Sequence, residues 1–348
     1  MFGGLWRGLS QIASRLFGRG RAATTQVVDI PGMPAAPSTV ATSLQSAAVW
    51  ACCRLLSQSV ATLPGHVYKT QPEGKRRAVD HPLWRMLTAQ PNPLMTLQQW
   101  LQTTVLHLAL YGNAYTLPDT QSGEIFALWP LVPDRVRIQI DPRTGDYKYL
   151  FHDPTGKPAR EFAPGELMHF RLFSLDGIVG LSPIEYHRLT LDIDAVSRSY
   201  AATLYANGGR PAGVFTSPGP LNADQVKNIR ASWKLMNAGP DNAGSIVVLE
   251  SGTKYEALAI PPEHLEYIAQ QKFSVEQIAR IYGVPPHLIG AMDKPTYASV
   301  EQQALEFLQY TLQPIVTAIE RTVQSKLLED PFFYKLNIAA FERSDIKT

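Results

Sequence analysis

Apolar positions in this chain recur at two periods, and the change between them divides it. From Ser43 to about Thr62, Val49, Cys52, Leu56 and Val60 fall three or four apart, the spacing of one helical face. Leu63-Pro64-Gly65 ends that helix, and a short strand is expected from His66 to Thr70. Lys75-Arg76-Arg77 sits beside a glycine and reads as a solvated loop rather than a binding patch. His81-Pro82 opens a short helix to Leu87. Thr96 with Gln99 forms a capping-box pattern, so a helix burying Leu97, Leu101, Val105 and Leu108 runs to a stop at Gly112. From Asn113 to Phe162 the period becomes two. Strands are expected over 114–117, 124–131, 135–140 and 147–151, with Gly and Pro residues between them. Arg135, Arg137 and Gln139 alternate with Val136, Ile138 and Ile140, giving one wet face and one packed face. Glu166 to Leu172 is a further strand. Helices followed by an antiparallel block predict an α+β fold.

The second half is dominated by long helices. Ser182 is an N-cap, Pro183 fits the first turn and Glu185 completes the box, so a helix runs to about Asn207 and stops at Gly208-Gly209. At ~1.5 Å per residue, some ~25 residues make a rod of roughly 38 Å, long for a small domain. A compact insert follows. It has a strand at 212–216, a helix capped by Asn222 and carrying Val226, Ile229 and Trp233, and strands at 245–249 and 255–258, a βαββ module. A second long helix is expected from about Pro262 to Tyr282, broken by Gly283-Val284-Pro285-Pro286. After a loop at 284–299, a last helix covers 300–328 with Leu305, Leu308, Leu312, Ile315, Ile319, Val323 and Leu327 in one stripe. Pro314 interrupts it, and an internal proline removes a hydrogen bond and kinks a helix. A strand from Phe333 to Phe341 follows. Two long helices flanking a small module describe a projection hung from a parent domain.

Composition narrows this picture. At about 150 residues per domain, 348 residues suggest two or three domains. Apolar residues at 45% and charged residues at 18% are globular values. Thirty-two cations against 30 acids leave a net charge of +2, which excludes a polycationic nucleic-acid binder and leaves only local patches for such contacts. The two cysteines, Cys52 and Cys53, are adjacent, which argues against a disulfide scaffold or a shared metal site and for small buried side chains on a helix. No run reaches the ~18–20 apolar residues of a membrane span. Residues 1–21 carry Arg7, Arg15, Arg19 and Arg21 with no acid before Asp29, and Leu5, Leu9, Ile12 and Leu16 on one helical face. They lack the apolar core of a secretory signal. A docking arm, a surface-binding helix and a frayed terminus all fit, and an arm that orders on docking is favoured. Residues 22–41, rich in Ala, Pro and Thr, read as a linker, so 1–40 form an arm with its linker.

Tests for chemistry return little. Gly74-Lys75-Arg76 and Gly156-Lys157-Pro158 lack the leading glycine and the hydroxyl residue of a phosphate loop. Gly208-Gly209 with Gly213 has the wrong spacing for a dinucleotide fingerprint. The eight histidines form no helix-borne metal pair. Asp80-His81 and Asp192-x-Asp194 are the nearest approach to a site, and residues two apart on a helix do not face each other. The chain is expected to be non-enzymatic and to need no cofactor or metal.

Several segments, taken in order, resemble the HK97-like family of bacteriophage portal proteins. They are Leu63-Pro64, His81-Pro82-Leu83, Gln90-Pro91-Asn92-Pro93, Tyr111-Gly112-Asn113-Ala114-Tyr115 and Pro130-Leu131-Val132-Pro133-Asp134-Arg135-Val136. Gly177 to Ile184, Asn207-Gly208-Gly209-Arg210-Pro211, Ile278 to Gly290 and Ser299-Val300-Glu301-Gln302-Gln303 continue the series, which covers about residues 40 to 345. The resemblance implies a wing (41–180 and 300–348), stem helices (181–209 and 262–283), a clip (210–261) and a tunnel loop (284–299), with the crown short or absent. It implies a homo-oligomeric ring, usually a dodecamer, at one capsid vertex of a bacteriophage or prophage. Double-stranded DNA would pass through it without sequence specificity during packaging and ejection. The terminase large subunit, the major capsid protein or scaffold, and a head–tail connector would be partners, and no membrane is involved. The location would be the virion portal vertex, with the host bacterial cytoplasm during assembly.

On that plan Lys294, Thr296 and Tyr297 of the tunnel loop would lie nearest the DNA. Lys272 and Arg280 either face the lumen or pair with Glu276 or a neighbouring subunit. Near-neutral charge suits a conduit, because tight phosphate binding would oppose sliding. Trp233 is either an anchor at a subunit or terminase interface or a core residue of the clip itself. Competing readings are another ring-forming connector, a hydrolase using Asp80, His81 or His169, and a peripheral membrane protein acting through the basic arm.

Overall fold

The computed structural model describes residues 38–154, 158–206, 213–220, 222–237, 254–257, 273–290, 302–303 and 305–338. In chain order its elements begin with α1 (Val40–Ser43), α2 (Ala47–Ala61), β1 (Gly65–Gln71), β2 (Gly74–Arg77), α3 (Trp84–Thr88) and α4 (Leu97–Tyr111). Then come β3 (Asn113–Gln121), β4 (Glu124–Leu131), β5 (Val136–Ile140), β6 (Tyr147–Phe151), β7 (Arg160–Phe162) and β8 (Met168–Arg171). The rest are α5 (Pro183–Tyr186), α6 (Arg188–Ala206), β9 (Gly213–Thr216), α7 (Ala223–Asn237), β10 (Lys254–Ala257), α8 (273–281), α9 (Gln313–Leu327) and β11 (Phe332–Leu336). The fold is α+β. The elements gather in two compact units, Ala51–Tyr186 with Thr296–Thr348, and Pro34–Trp50 with His187–Pro295, each as far as it is described.

The first unit holds three small antiparallel sheets, ordered β11-β1-β2, β4-β3-β8 and β5-β6-β7. The first sheet closes the chain on itself, because β11 pairs with β1 in the register Gly65↔Leu336 to Lys69↔Phe332. Val49, Cys52, Leu56 and Val60 of α2 are all buried, as their spacing predicts. In α4 the capping box forms as expected. Thr96 Oγ1 accepts the Gln99 N–H at 3.3 Å, and Gln99 Oε1 accepts the Thr96 N–H at 2.9 Å. The buried face of α4 carries Trp100, whose ring meets Phe170 of β8 edge-on at 5.9 Å.

Some expectations shift. The first helix begins at Ala47, four residues late; Thr39 caps the separate turn α1, and the buried Ser46 gives its hydroxyl to the Asp194 carboxylate. Lys75-Arg76-Arg77 forms the exposed edge strand β2 rather than a loop, and remains solvated as expected. Ile140 is 41% exposed, since it ends β5 beyond the packed cluster. The helix expected over 182–207 is divided at His187 into α5 and α6. Just before Pro314 the helix takes a π-helical turn, Phe307–Leu312, in which the Gln313 N–H reaches back to the Leu308 carbonyl, and it runs on without interruption into α9, whose first turn holds the proline. The apolar stripe accordingly begins at Phe307, and Leu305 is 51% exposed. The last strand stops at Leu336, and the Asn337 N–H goes to the Pro64 carbonyl at 3.0 Å.

Candidate functional site

Two of the sequence segments singled out above, 111–115 and 177–184, are stitched together in the first unit. Gly112 ends α4 with φ +69°, and a Cβ there would lie 2.0 Å from the Leu181 carbonyl oxygen. Asn113 follows at once. Its Nδ2 donates to the Gly180 carbonyl at 2.7 Å, and its Oδ1 accepts the Gly180 N–H at 2.7 Å. This pairing fixes the orientation of the amide. The same Oδ1 contacts His169 Nε2 at 2.9 Å, so Nε2 must carry the hydrogen and Nδ1 must be an acceptor. Nδ1 receives the Tyr149 hydroxyl at 3.1 Å and Arg171 Nη1 at 3.3 Å. Burial, reinforced by the Arg171 charge, pushes the His169 pKa down to about 3. The imidazole is therefore neutral at ordinary pH and serves as a fixed acceptor. Ser182, the expected N-cap, accepts the Glu185 N–H at 3.3 Å and donates to the Leu110 carbonyl at 3.0 Å.

Three further segments act alike. Asn92 Nδ2 donates to the Leu128 carbonyl at 2.8 Å, and Tyr111 donates to Asp134 Oδ2 at 2.9 Å. His81 meets Phe332 edge-on at 4.7 Å, and its Nδ1 accepts the Leu83 N–H at 3.2 Å. The histidines considered for hydrolysis are thus held in structural contacts.

In the second unit the Asp192-x-Asp194 pair has a structural task that the sequence reading did not assign. Both carboxylates are buried. Asp192 Oδ1 accepts the Ser38 N–H at 2.8 Å and the Ser38 hydroxyl. Asp194 accepts Ser46 Oγ at 3.0 Å, Ser274 Oγ at 2.9 Å and Arg198 Nε at 3.0 Å. It therefore joins α6 to α8, the two helices read as stems. The signal was available: Asp194 interrupts the buried positions Leu191 and Ala201 of α6, and an acid four residues before an arginine is a favourable helical pair.

Of the candidate tunnel and interface residues, Arg280 is exposed in the last turn of α8. Trp233 lies on α7, with its side chain outside the described set. Lys272, Lys294, Thr296 and Tyr297 lie outside the described residues. Among the described residues no helix is long and apolar enough to cross a membrane, and no three His, Cys, Asp or Glu side chains cluster to hold a metal.

The described structure thus combines a small-sheet α+β unit, a pair of helices joined through Asp194, and motif residues engaged in the fold's own hydrogen bonds, the features of a structural subunit. Comparison with known proteins agrees. The family model described as phage portal protein matches residues 47–348. The chain is 33% identical over 291 residues to the portal protein of Enterobacteria phage HK97, covering 82% of this chain and 68% of that one. Its fold is similar to the crystal structure of an HK97-family phage portal protein from Corynebacterium diphtheriae, with a TM-score of 0.64 and 20% identity over 88% of this chain and 98% of the other. It is also similar to a chain in the neck of a native gene transfer agent particle computed with C12 symmetry, with a TM-score of 0.62 and 20% identity over 97% and 93%. The chain belongs to the phage portal protein family, and its role is that of a portal protein.

Proposed function

We propose that this chain assembles into a closed homo-oligomeric ring, a dodecamer, at the unique capsid vertex, and that the ring is the conduit for double-stranded DNA during packaging and ejection. Family membership over residues 47–348 carries this reading. The exposed apolar side chains of α6 support it. Leu189 at 55% and Ile193 at 46% exposure stand four apart on one helical face, the kind of stripe that a heterologous, ring-closing contact buries. The role is structural rather than catalytic. The parts are a wing (41–180 and 300–348), a stem (181–209 and 262–283), a clip (210–261) and a tunnel loop (284–299). The β1–β11 pairing, which draws the C-terminal strand onto the first sheet, supports assigning both ends to one wing.

In this reading Lys272 and Arg280 of the stem, with Lys294, Thr296 and Tyr297 of the tunnel loop, face the DNA. The terminase large subunit and then a head–tail connector dock on the ring, and the major capsid protein or scaffold surrounds it. The ring resides in the virion and is assembled in the host cytoplasm. Phage particles made with Lys272→Glu and Arg280→Glu should contain less DNA per capsid than wild type, because two added acids per subunit repel the phosphate backbone. Unchanged DNA content contradicts the lumen assignment. Particles made without this chain should be devoid of DNA, and normally filled particles contradict the conduit itself.

A further inference from the structure

The strands and last helix of the first unit line a half-open cavity of about 290 Å³ that the portal role leaves unassigned. Its walls follow from period. Tyr147 and Tyr149 are two apart on β6, and His169 and Arg171 two apart on β8, so each pair shares one face of its strand. Helix α9 supplies the opposite wall. Small side chains at Ala318, Thr322 and Ser325 leave the space open, and Arg321 and Lys326 also line it.

The donors and acceptors of this wall are unbalanced. The Thr322 hydroxyl donates to the Ala318 carbonyl at 2.8 Å and that of Ser325 to the Thr322 carbonyl at 3.2 Å. The Tyr149 hydroxyl goes to His169. Three cations are left with hydrogens to donate. Arg171 uses one N–H on His169 Nδ1, and Lys326 uses one on the Pro164 carbonyl at 2.7 Å. Among the described residues no carboxylate forms an ion pair with Arg171, Arg321 or Lys326.

Three nearby acids are engaged elsewhere, and Glu329, three residues after Lys326, forms no ion pair with it. Glu166 Oε2 accepts the Ala163 N–H, Asp176 accepts the Ile178 and Val179 N–H groups, and Glu320 accepts Lys335 and the Leu336 N–H. Three cations without an ion-pair partner among the described residues, set against the single Asp176 charge that reaches His169, leave a positive field that favours an anion, and guanidinium forks match the oxygens of a phosphate. The volume is at the small end of ligand pockets, which run from about 300 Å³ upward, and so suits a small anion.

We propose that this cavity binds a phosphate group through Arg171, Arg321 and Lys326. The assignment stands apart from the conduit reading, since the lumen residues named above do not line the cavity. The test is titration of the purified full chain with inorganic phosphate at constant ionic strength, read by ³¹P NMR and calorimetry. Saturable binding is expected, weakened about tenfold or more by Arg171→Gln or Arg321→Gln and unchanged by Arg137→Gln on the exposed face of β5. Thermal melts check that the variants fold, and Arg321, exposed on its helix, is the variant least coupled to packing. Competition then separates the sources of the phosphate. Displacement by a mononucleotide identifies a free phosphate ligand, and displacement by a short DNA duplex identifies a backbone phosphate. Absence of saturable binding, or equal binding in the folded Arg321→Gln chain, overturns the proposal.

Discussion

Gly112 and Gly123 both adopt positive φ, +69° and +89°, yet they make different demands. A Cβ at Gly112 would press into the Leu181 carbonyl, whereas one at Gly123 would meet open space. The left-handed conformation alone costs about 1–2 kcal/mol for alanine, and overpacking adds about 1–3 more. Gly112→Ala should therefore lower stability by about 3 kcal/mol or more and Gly123→Ala by about 1–2, measured as urea midpoints. Equal losses contradict the close approach of the two segments. The histidines make a second prediction. Burial lowers His169 to about 3 and His107 to about 4, the latter against an opposing pull from Asp134. Each imidazole takes up its proton more readily in the unfolded chain. Their contribution to stability is thus complete above pH 6.5 and is lost as pH falls toward the folded values. The slope is up to about 1.4 kcal/mol per pH unit for each group. Unfolding at pH 7.5 and 5.5 should show the loss, and His107→Gln should reduce it; a pH-independent midpoint contradicts the neutral, buried assignment. Gly112 was legible as a helix stop because its signal is local. Asn113 was not, because Gly180, 67 positions away, decides its meaning.

At the scale of elements, α9 and β11 are pinned by one buried carboxylate. Glu320 is 6% exposed and accepts both Lys335 Nζ at 2.6 Å and the Leu336 N–H at 2.8 Å. Lys335 itself is half exposed, so its ion pair is worth under about 1 kcal/mol, whereas a buried N–H left without its charged acceptor costs about 2–3. Glu320→Ala should destabilise by roughly 3 kcal/mol and Lys335→Ala by less than about 1, read from the same midpoints; equal losses would show that the ion pair dominates. Elements with local start and stop signals could be read from the sequence. The Thr96–Gln99 box and the Asn222–Gln225 box both form, the latter with bonds of 2.8 and 2.9 Å. The alternating run at Val136 became β5, but the short β7 carried too few residues to show a period. Pro314 read as a kink, yet the helix continues through it, and periodicity could not show that a π turn would precede it. The division at His187 carried no glycine or proline to announce it.

At the scale of the whole molecule, the ordered series of short segments identified the family, and a match over residues 47–348 agrees. Much of the candidate site was less accessible. A lumen or subunit interface is a property of many chains together, and one chain's pattern of apolar and charged positions does not say which face turns inward. What the single chain does show is unsatisfied surface. Leu189 and Ile193 on α6, and Phe173 and Leu175 beyond β8 at 72% and 65% exposure, are apolar groups that assembly would cover. A change of Leu189 and Ile193 together to Ser should leave the monomer folded, as judged by its melting curve, and shift the population from ring to smaller species. The central claim is tested most directly by mass photometry of the purified chain, alone and co-expressed with its capsid protein, with electron-microscopic imaging of the largest species. The account predicts closed rings of about twelve copies around an open centre, as in the C12 neck assembly whose subunit shares this fold. A monomer or small oligomer under both conditions, with no ring in the images, would contradict it.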